Sequence, residues 1–232
     1  RFLQKVAQTE QIDLVVSTGD NLGEAGALEL LLEAYQPLLR FPGAFVLGSN
    51  DYYSPQTRSP LNYLQRNRGD KAIKRHEGQG PDLPWYQLVE ELVGAGWKDL
   101  SNRADTVTIP GAKTQQIVSM VGVDDPHIRR DRMPQPQWQP GSLHLAVTHA
   151  PYRRVLDRFA DLGADLILAG HTHGGQIRVP GLGALVNNCD IPKEFSRGMH
   201  EWIGSSGRRT LLNVSAGLGT SPFVPLRFAC RP

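Results

Sequence analysis

Four short blocks of this chain carry side chains that bind divalent metal ions, and each block closes a run of apolar residues. They are Ser17-Thr18-Gly19-Asp20-Asn21, Gly48-Ser49-Asn50-Asp51, His149-Ala150-Pro151 and Gly170-His171-Thr172-His173-Gly174-Gly175-Gln176. Carboxylate, carboxamide and imidazole donors together suit manganese, iron or zinc, and the residues do not choose among these ions. In the His171-x-His173 pair, extended backbone would put both rings on one side, and the flanking glycines would let the main chain approach an ion closely. Alone, such a pair reads equally well as a polar turn. Its meaning changes because Asp20, Asn50 and His149 also sit where apolar runs end, and unrelated turns seldom supply oxygen and nitrogen donors at four strand ends.

The elements that must position these donors are legible as short runs rich in Val, Ile and Leu. Residues 13–17, 44–47, 117–123, 143–148, 166–169 and 211–215 read as buried strands. Between the first two, residues 25–39 place leucines on one face of a helix, with Pro42-Gly43 after it. Residues 84–93 predict a second helix, and residues 1–11 read as a helix before the first strand. Alternation of strands and helices predicts an α/β fold, whose sites form beyond the carboxyl ends of the strands.

Further polar residues lie close to these runs. Asp124-Asp125-Pro126-His127 follows the third strand and reads either as an Asx turn or as a rim that touches substrate. Residues 67–80, with Arg68, Lys71, Lys74, Arg75 and His76, read either as a solvated loop or as a basic rim for an anionic substrate or membrane surface. Residues 133–140 read as a Pro-rich connector. His76, His144 and His200 have no partner motif and read as surface or core histidines, and the four tryptophans as packing residues.

Composition removes several classes. The chain has 232 residues, 40% hydrophobic and 21% charged, which fits one globular domain and excludes collagen, coiled coil, long disordered tails and disulfide scaffolds. With 25 Lys and Arg against 23 Asp and Glu, it lacks the basic excess of a dedicated nucleic-acid binder, so no nucleic-acid partner is expected. Cys189 and Cys230 have no zinc-finger spacing and read as two thiols or one disulfide. No run approaches the roughly 18 apolar residues of a membrane span. Because residue 1 is Arg, an anchor or signal ahead of it stays open, and with it the localisation.

The order GD, a GSND block, His and then GHTHGGQ resembles the calcineurin-like metallophosphoesterase superfamily, and the longer last block resembles its bacterial YkuE- and YaeI-like branch. The likeness spans Gly19 to Gln176 and continues to Ser215-Ala216-Gly217-Leu218-Gly219. It implies a four-layer α/β/β/α sandwich around two divalent ions. Asp20 would bridge them, Asn50, His149 and His171 would complete one shell, and His173 would sit on the other ion. Asp51 would orient a ligand. A hydroxide held by the two ions would attack a phosphomonoester or phosphodiester. Manganese, iron or zinc would serve, and by analogy with the branch the ester would be lipid-linked or part of the cell envelope, with membrane association through a segment outside this chain.

Two departures from the family pattern qualify these expectations. The Asp-x-His motif of the family's first strand is missing ahead of Asp13, so residues 1–232 are expected to form a single domain that lacks that strand. In Gly48-Ser49-Asn50-Asp51, either Ser49 or Asn50 stands at the Asn ligand, and we favour Asn50 because its oxygen is the better donor. The histidine that assists the leaving group is absent either way. His127, Tyr52 or an arginine is the expected substitute, with Tyr52 and His127 as substrate-binding residues, unless the leaving group is a good one. The alternative is a metal-binding module without hydrolysis. A nuclease would need a basic groove with stacking aromatics, which the charge disfavours.

Overall fold

The alternation of apolar side chains along the strands separates three cores and so defines the layers. The computed structural model describes residues 1–55, 80–110, 115–175, 178–179, 183–185 and 187–219. Arg68, Lys71, Lys74, Arg75 and His76, together with Gln176 and Cys230, lie outside the described residues. Strand β1 (Val15–Ser17), β2 (Gly43–Phe45) and β3 (Lys98–Asp99) form a parallel sheet in that order. A second sheet has six strands: β4 (Ala104–Ile109), β5 (Gln116–Gly122), β6 (Leu143–Thr148), β7 (Leu166–Ala169), β10 (Gly198–Ile203) and β11 (Arg209–Val214). Their order is β10-β11-β7-β6-β5-β4, parallel from β11 to β5 and antiparallel at both edges. A small antiparallel pair, β8 (Arg178–Val179) and β9 (Gly183–Ala184), stands apart.

Period two assigns each side chain to a layer. From β2 onward, Ala44 and Val46 face the second sheet, where they meet Val118, Met120, Leu145 and Val147, whereas Phe45 and Leu47 face helices. Those helices are α1 (Phe2–Thr9), α2 (Ala27–Tyr35) and α4 (Trp85–Gly94), which contribute Ala7, Leu31 and Leu88 to that core. On the far side of the six-stranded sheet, Val121, Ala146, Ile167 and Leu212 meet Val155, Leu156, Phe159 and Ala160 of helix α5 (Arg153–Leu162). The result is the four-layer α/β/β/α arrangement. Each fully buried Val, Leu, Ile or Phe side chain contributes about 1.5–3 kcal/mol, so Val155, Leu156 and Phe159 hold that helix on the sheet.

The six predicted strands and three predicted helices are present, 143–148 and 166–169 with the expected bounds and the others with ends shifted by at most four residues. The structure adds β4, β10, α5, the short helix α3 (Ser49–Tyr52) and the two-residue strands β3, β8 and β9. Among the described residues, no helix is long and apolar enough to cross a membrane.

Candidate metal centre

Because β1 and β2 are parallel to each other, as are β5, β6, β7 and β11, the carboxyl ends within each sheet point one way. The two sheets bring those ends together at Gly19 and Gly48, where His149 of the second sheet packs against both. A methyl group on Gly19 would lie 2.6 Å from the Gly48 nitrogen and 2.9 Å from His149 Nδ1, and one on Gly48 would lie 2.7 Å from the Asp20 nitrogen. Only glycine leaves room at these two positions. Three predicted ligands, Asp20 (φ 61°), His171 (φ 65°) and His173 (φ 50°), adopt left-handed backbone, which costs a residue with a side chain about 1–2 kcal/mol. Tertiary contacts hold that strain at one place.

Asp20, His149 and His171 each direct a donor atom into a cluster in which all three atoms lie within 4.8 Å of one another. His149 Nε2 is 3.4 Å from Asp20 Oδ2 and 3.1 Å from His171 Nδ1. His149 Nδ1 donates to the Thr18 carbonyl at 2.6 Å, which orients the ring and leaves Nε2 as its cluster atom. The Asn50 main-chain N–H donates to Asp20 Oδ1 at 2.8 Å and its amide donates to Oδ2 at 2.9 Å. His171 Nε2 is buried without a hydrogen-bond partner among the described residues. A carboxylate, a carboxamide and two imidazoles around an unsatisfied buried nitrogen fit a divalent ion.

Asp51 lies beneath this cluster, fully buried. Its Oδ2 accepts from the main-chain N–H groups of Asp20 and Gly48, both at 2.9 Å, and its Oδ1 accepts from those of Asn21 and Leu22 at 2.6 and 3.1 Å. One carboxylate therefore ties the turn that carries Asp20 to the turn that carries Asn50.

The charges reinforce one another. Burial opposes ionisation of Asp20, but His149 and His171 outweigh it and hold this carboxyl well below its usual range. Burial likewise opposes protonation of His149, but the Asp20 and Asp125 carboxylates raise it to about 10. Burial, with His127 and His149 close by, lowers His171 far below its ordinary value, so that this ring is neutral. Burial and the neighbouring Asp20 raise Asp51 to about 6.

Asp20, Asn50, His127, His149, His171 and His173 all line one cavity of about 950 Å³. His173 shares the wall of this cavity but stands outside the three-residue cluster. The reading of Tyr52 as a substrate-binding residue is corrected. Tyr52 is 1% exposed, its hydroxyl donates to Asp124 at 3.0 and 3.1 Å, and the Arg130 guanidinium lies 4.0 Å over its ring. It closes the gap between α3 and residues 124–130, out of reach of the cavity. His144 stacks on Trp138 and His200 on Phe195, each a packing contact.

Sequence reasoning missed Asn21, whose Oδ1 accepts from Ser17 and Tyr35 at 2.9 and 2.6 Å, and Tyr152, which reaches His127. Tyr152 stands three residues after His149 in the same loop, a proximity that could have marked it. Asp125 does form the Asx turn, accepting from the His127 N–H at 2.7 Å, yet its Oδ2 is buried with no hydrogen-bond partner among the described residues.

Burial pushes Asp125 up to about 7 from an ordinary 3.8, with Asp20 repelling and His149 attracting its charge. Between these values the folded chain keeps a proton that the unfolded chain has lost, so this group lowers stability as pH rises through the window. Asp125→Asn keeps the accepting oxygen without the charge. In the metal-free protein it is expected to raise the melting temperature at about pH 8 and leave it unchanged at about pH 3.5, where both forms are protonated. An equal shift at both pH values, followed by circular dichroism, would contradict this account.

A sequence model described as calcineurin-like phosphoesterase matches residues 1–175. The chain is 31% identical to the phosphodiesterase YaeI of Escherichia coli (strain K12) over 147 residues, 63% of this chain and 49% of that protein. It is 29% identical to the uncharacterized protein YpbG of Bacillus subtilis (strain 168) over 99% of this chain and 71% of the relative. It is 34% identical to the uncharacterized metallophosphoesterase YkuE of the same organism over 38% of this chain and 28% of that protein. The matched parts thus span about half of YaeI and less of YkuE.

Proposed function

Since the chain belongs to the calcineurin-like phosphoesterase family, we propose that it hydrolyses phosphomonoesters or phosphodiesters at the cluster of Asp20, His149 and His171. The observation that carries this reading is the meeting of three donor atoms within 4.8 Å at the carboxyl ends of two sheets. Asp20 would be shared by two divalent ions, with Asn50, His149 and His171 on one and His173 on the other. Such ions supply Lewis acidity towards phosphoryl oxygens and make water acidic enough to attack near neutral pH.

The chain's own residues do the positioning. The Thr18 carbonyl holds His149 in the orientation that presents Nε2, and that nitrogen must give up its proton to act as a donor. Neutral His171 needs no such loss. Asp51 holds the Asp20 and Asn50 turns in register through main-chain N–H groups. A lipid-linked ester would find apolar lining in the same cavity, to which Phe2, Leu31 and Leu38 contribute.

The Asn50 amide N–H donates to Asp20 Oδ2, so this carboxamide lies at the cluster, which supports Asn50 over Ser49 as a ligand whose oxygen would turn to the ion. Asn50→Ala is expected to weaken metal affinity about 10–100-fold, whereas Ser49→Ala leaves it within about twofold. The reverse order in a metal titration would return the ligand to position 49.

The activity itself is tested by elemental analysis beside hydrolysis of an aryl phosphomonoester and an aryl phosphodiester with manganese, iron or zinc. About two ions with turnover supports the reading. Metal uptake without turnover would leave a metal-binding module, for which the missing histidine after Asn50 already argues. Neither uptake nor turnover would overturn both.

A further inference from the structure

We propose that His127, held by Tyr152, donates the hydrogen bond that stabilises the departing oxygen of the phosphoester. The inference rests on the phosphoesterase reading and names a residue for a task that reading leaves open. Breaking the ester sends the P–O bonding electrons to the leaving oxygen, while water adds its hydroxyl to phosphorus and its proton ends on the released alcohol. A hydrogen-bond donor beside that oxygen lowers the barrier most when the alcohol is a poor leaving group.

The cavity wall narrows the choice. Among the described residues no Lys or Arg lines it, so its ionisable groups near the cluster are carboxylates and imidazoles. The Asn50 amide is directed to Asp20, His149 is bonded at Nδ1 to Thr18 and faces Asp20 through Nε2, and His171 faces His149 through Nδ1. His173 is placed above as a ligand. His127 also lines the cavity, and its ring centroid is 4.5 Å from that of His171, the nearest ring of the cluster.

Its orientation comes from Tyr152. The two groups meet at 2.8 Å between His127 Nδ1 and the tyrosine hydroxyl, and burial together with Cys189 and Asp125 keeps that hydroxyl protonated. In the proposed arrangement this hydroxyl donates to Nδ1, which places the ring's hydrogen on Nε2. The Asx turn of Asp125 anchors the His127 main chain, so the backbone is fixed by Asp125 and the ring by Tyr152. The role asks for a hydrogen in a fixed place and for no change of charge on the ring.

The test uses zinc-loaded protein and two esters of one phosphoryl group, phenyl and p-nitrophenyl, whose alcohols differ in leaving ability. His127→Phe keeps a ring against His171 and removes both nitrogens. It is expected to lower kcat about 10²-fold on the phenyl ester and less than about fivefold on the p-nitrophenyl ester, with zinc content unchanged. Tyr152→Phe is expected to act in the same direction and more weakly. Equal losses on both esters, or loss of zinc in step with activity, would overturn the proposal in favour of a structural role.

A second readout needs no turnover. In nitrogen-15 imidazole spectra, His127 is expected as the Nε2–H tautomer, and added inorganic phosphate is expected to move that resonance in the wild type. A phosphate titration that moves other site resonances and leaves His127 still would also overturn the proposal. If the wild type cleaves neither ester, the hydrolase reading fails on its own, and the phosphate titration still decides whether His127 faces the anion.

Discussion

Asp20→Ala is expected to lower metal-dependent phosphoester hydrolysis by about 10³-fold or more, equivalent to at least about 4 kcal/mol of barrier. Asp20 is the one carboxylate in the cluster, and both of its oxygens are in use: Oδ1 accepts from the Asn50 N–H, and Oδ2 lies beside the Asn50 amide and 3.4 Å from His149 Nε2. Removing it takes the anionic donor from the site and the charge that favours protonation of His149. Metal content should therefore fall together with kcat/KM. The fold should survive, because Asp20 sits in a strained left-handed conformation and contributes no apolar side chain to a core. Retention of metal and activity in a folded Asp20→Ala protein would remove this aspartate from the centre. His200→Ala serves as the comparison, since His200 stacks on Phe195 in the α5 layer and should leave kcat within about twofold.

Asp51→Ala is expected to act on stability and activity together. The carboxylate is 0% exposed and accepts from four main-chain N–H groups, those of Asp20, Asn21, Leu22 and Gly48. Deleting it leaves buried donors without acceptors, each worth about 1–3 kcal/mol. Because the four act as a unit, we expect a total of about 3–5 kcal/mol rather than their sum. In a chain of this size that corresponds to a fall in melting temperature of roughly 10 °C. The turns carrying Asp20 and Asn50 would then lose their common anchor, so metal affinity should fall as well. Asp51→Asn retains one accepting oxygen but turns an amide donor towards main-chain donors, and should recover only part of the loss. A melting temperature within about 2 °C of wild type for Asp51→Ala would show that these bonds do not hold the two turns.

Strands β2, β5 and β6 were legible because most of their residues are buried, which makes their sequences continuous apolar runs, and the partly buried β1 and β7 are apolar as well. Helix α5 was legible in principle and was missed: Val155, Leu156, Phe159 and Ala160 fall on one face and Gly163 closes the helix in left-handed backbone, but charged residues between them mask the pattern. Strands β4 and β10 are edges, each covered on part of one face, so their apolar content is sparse. Tyr52 was misplaced because an aromatic next to candidate ligand residues can face either the site or the core. The outcome depended on Asp124 and Arg130, more than seventy residues further along the chain, which hold its hydroxyl and ring.

Local sequence by itself determined the element types, the carboxyl-end placement of the donors and the donor chemistry, because side-chain periodicity and turn residues act over a few neighbours. Tertiary structure alone decided which atoms meet. His149 is bonded to a carbonyl 131 residues away, and Asp51 to main-chain groups about thirty residues earlier. Tyr152 orients His127 across a loop boundary. Hydrogen bonds of this kind depend on tenths of an ångström between separate sheets, and only the packing of three hydrophobic cores sets those distances.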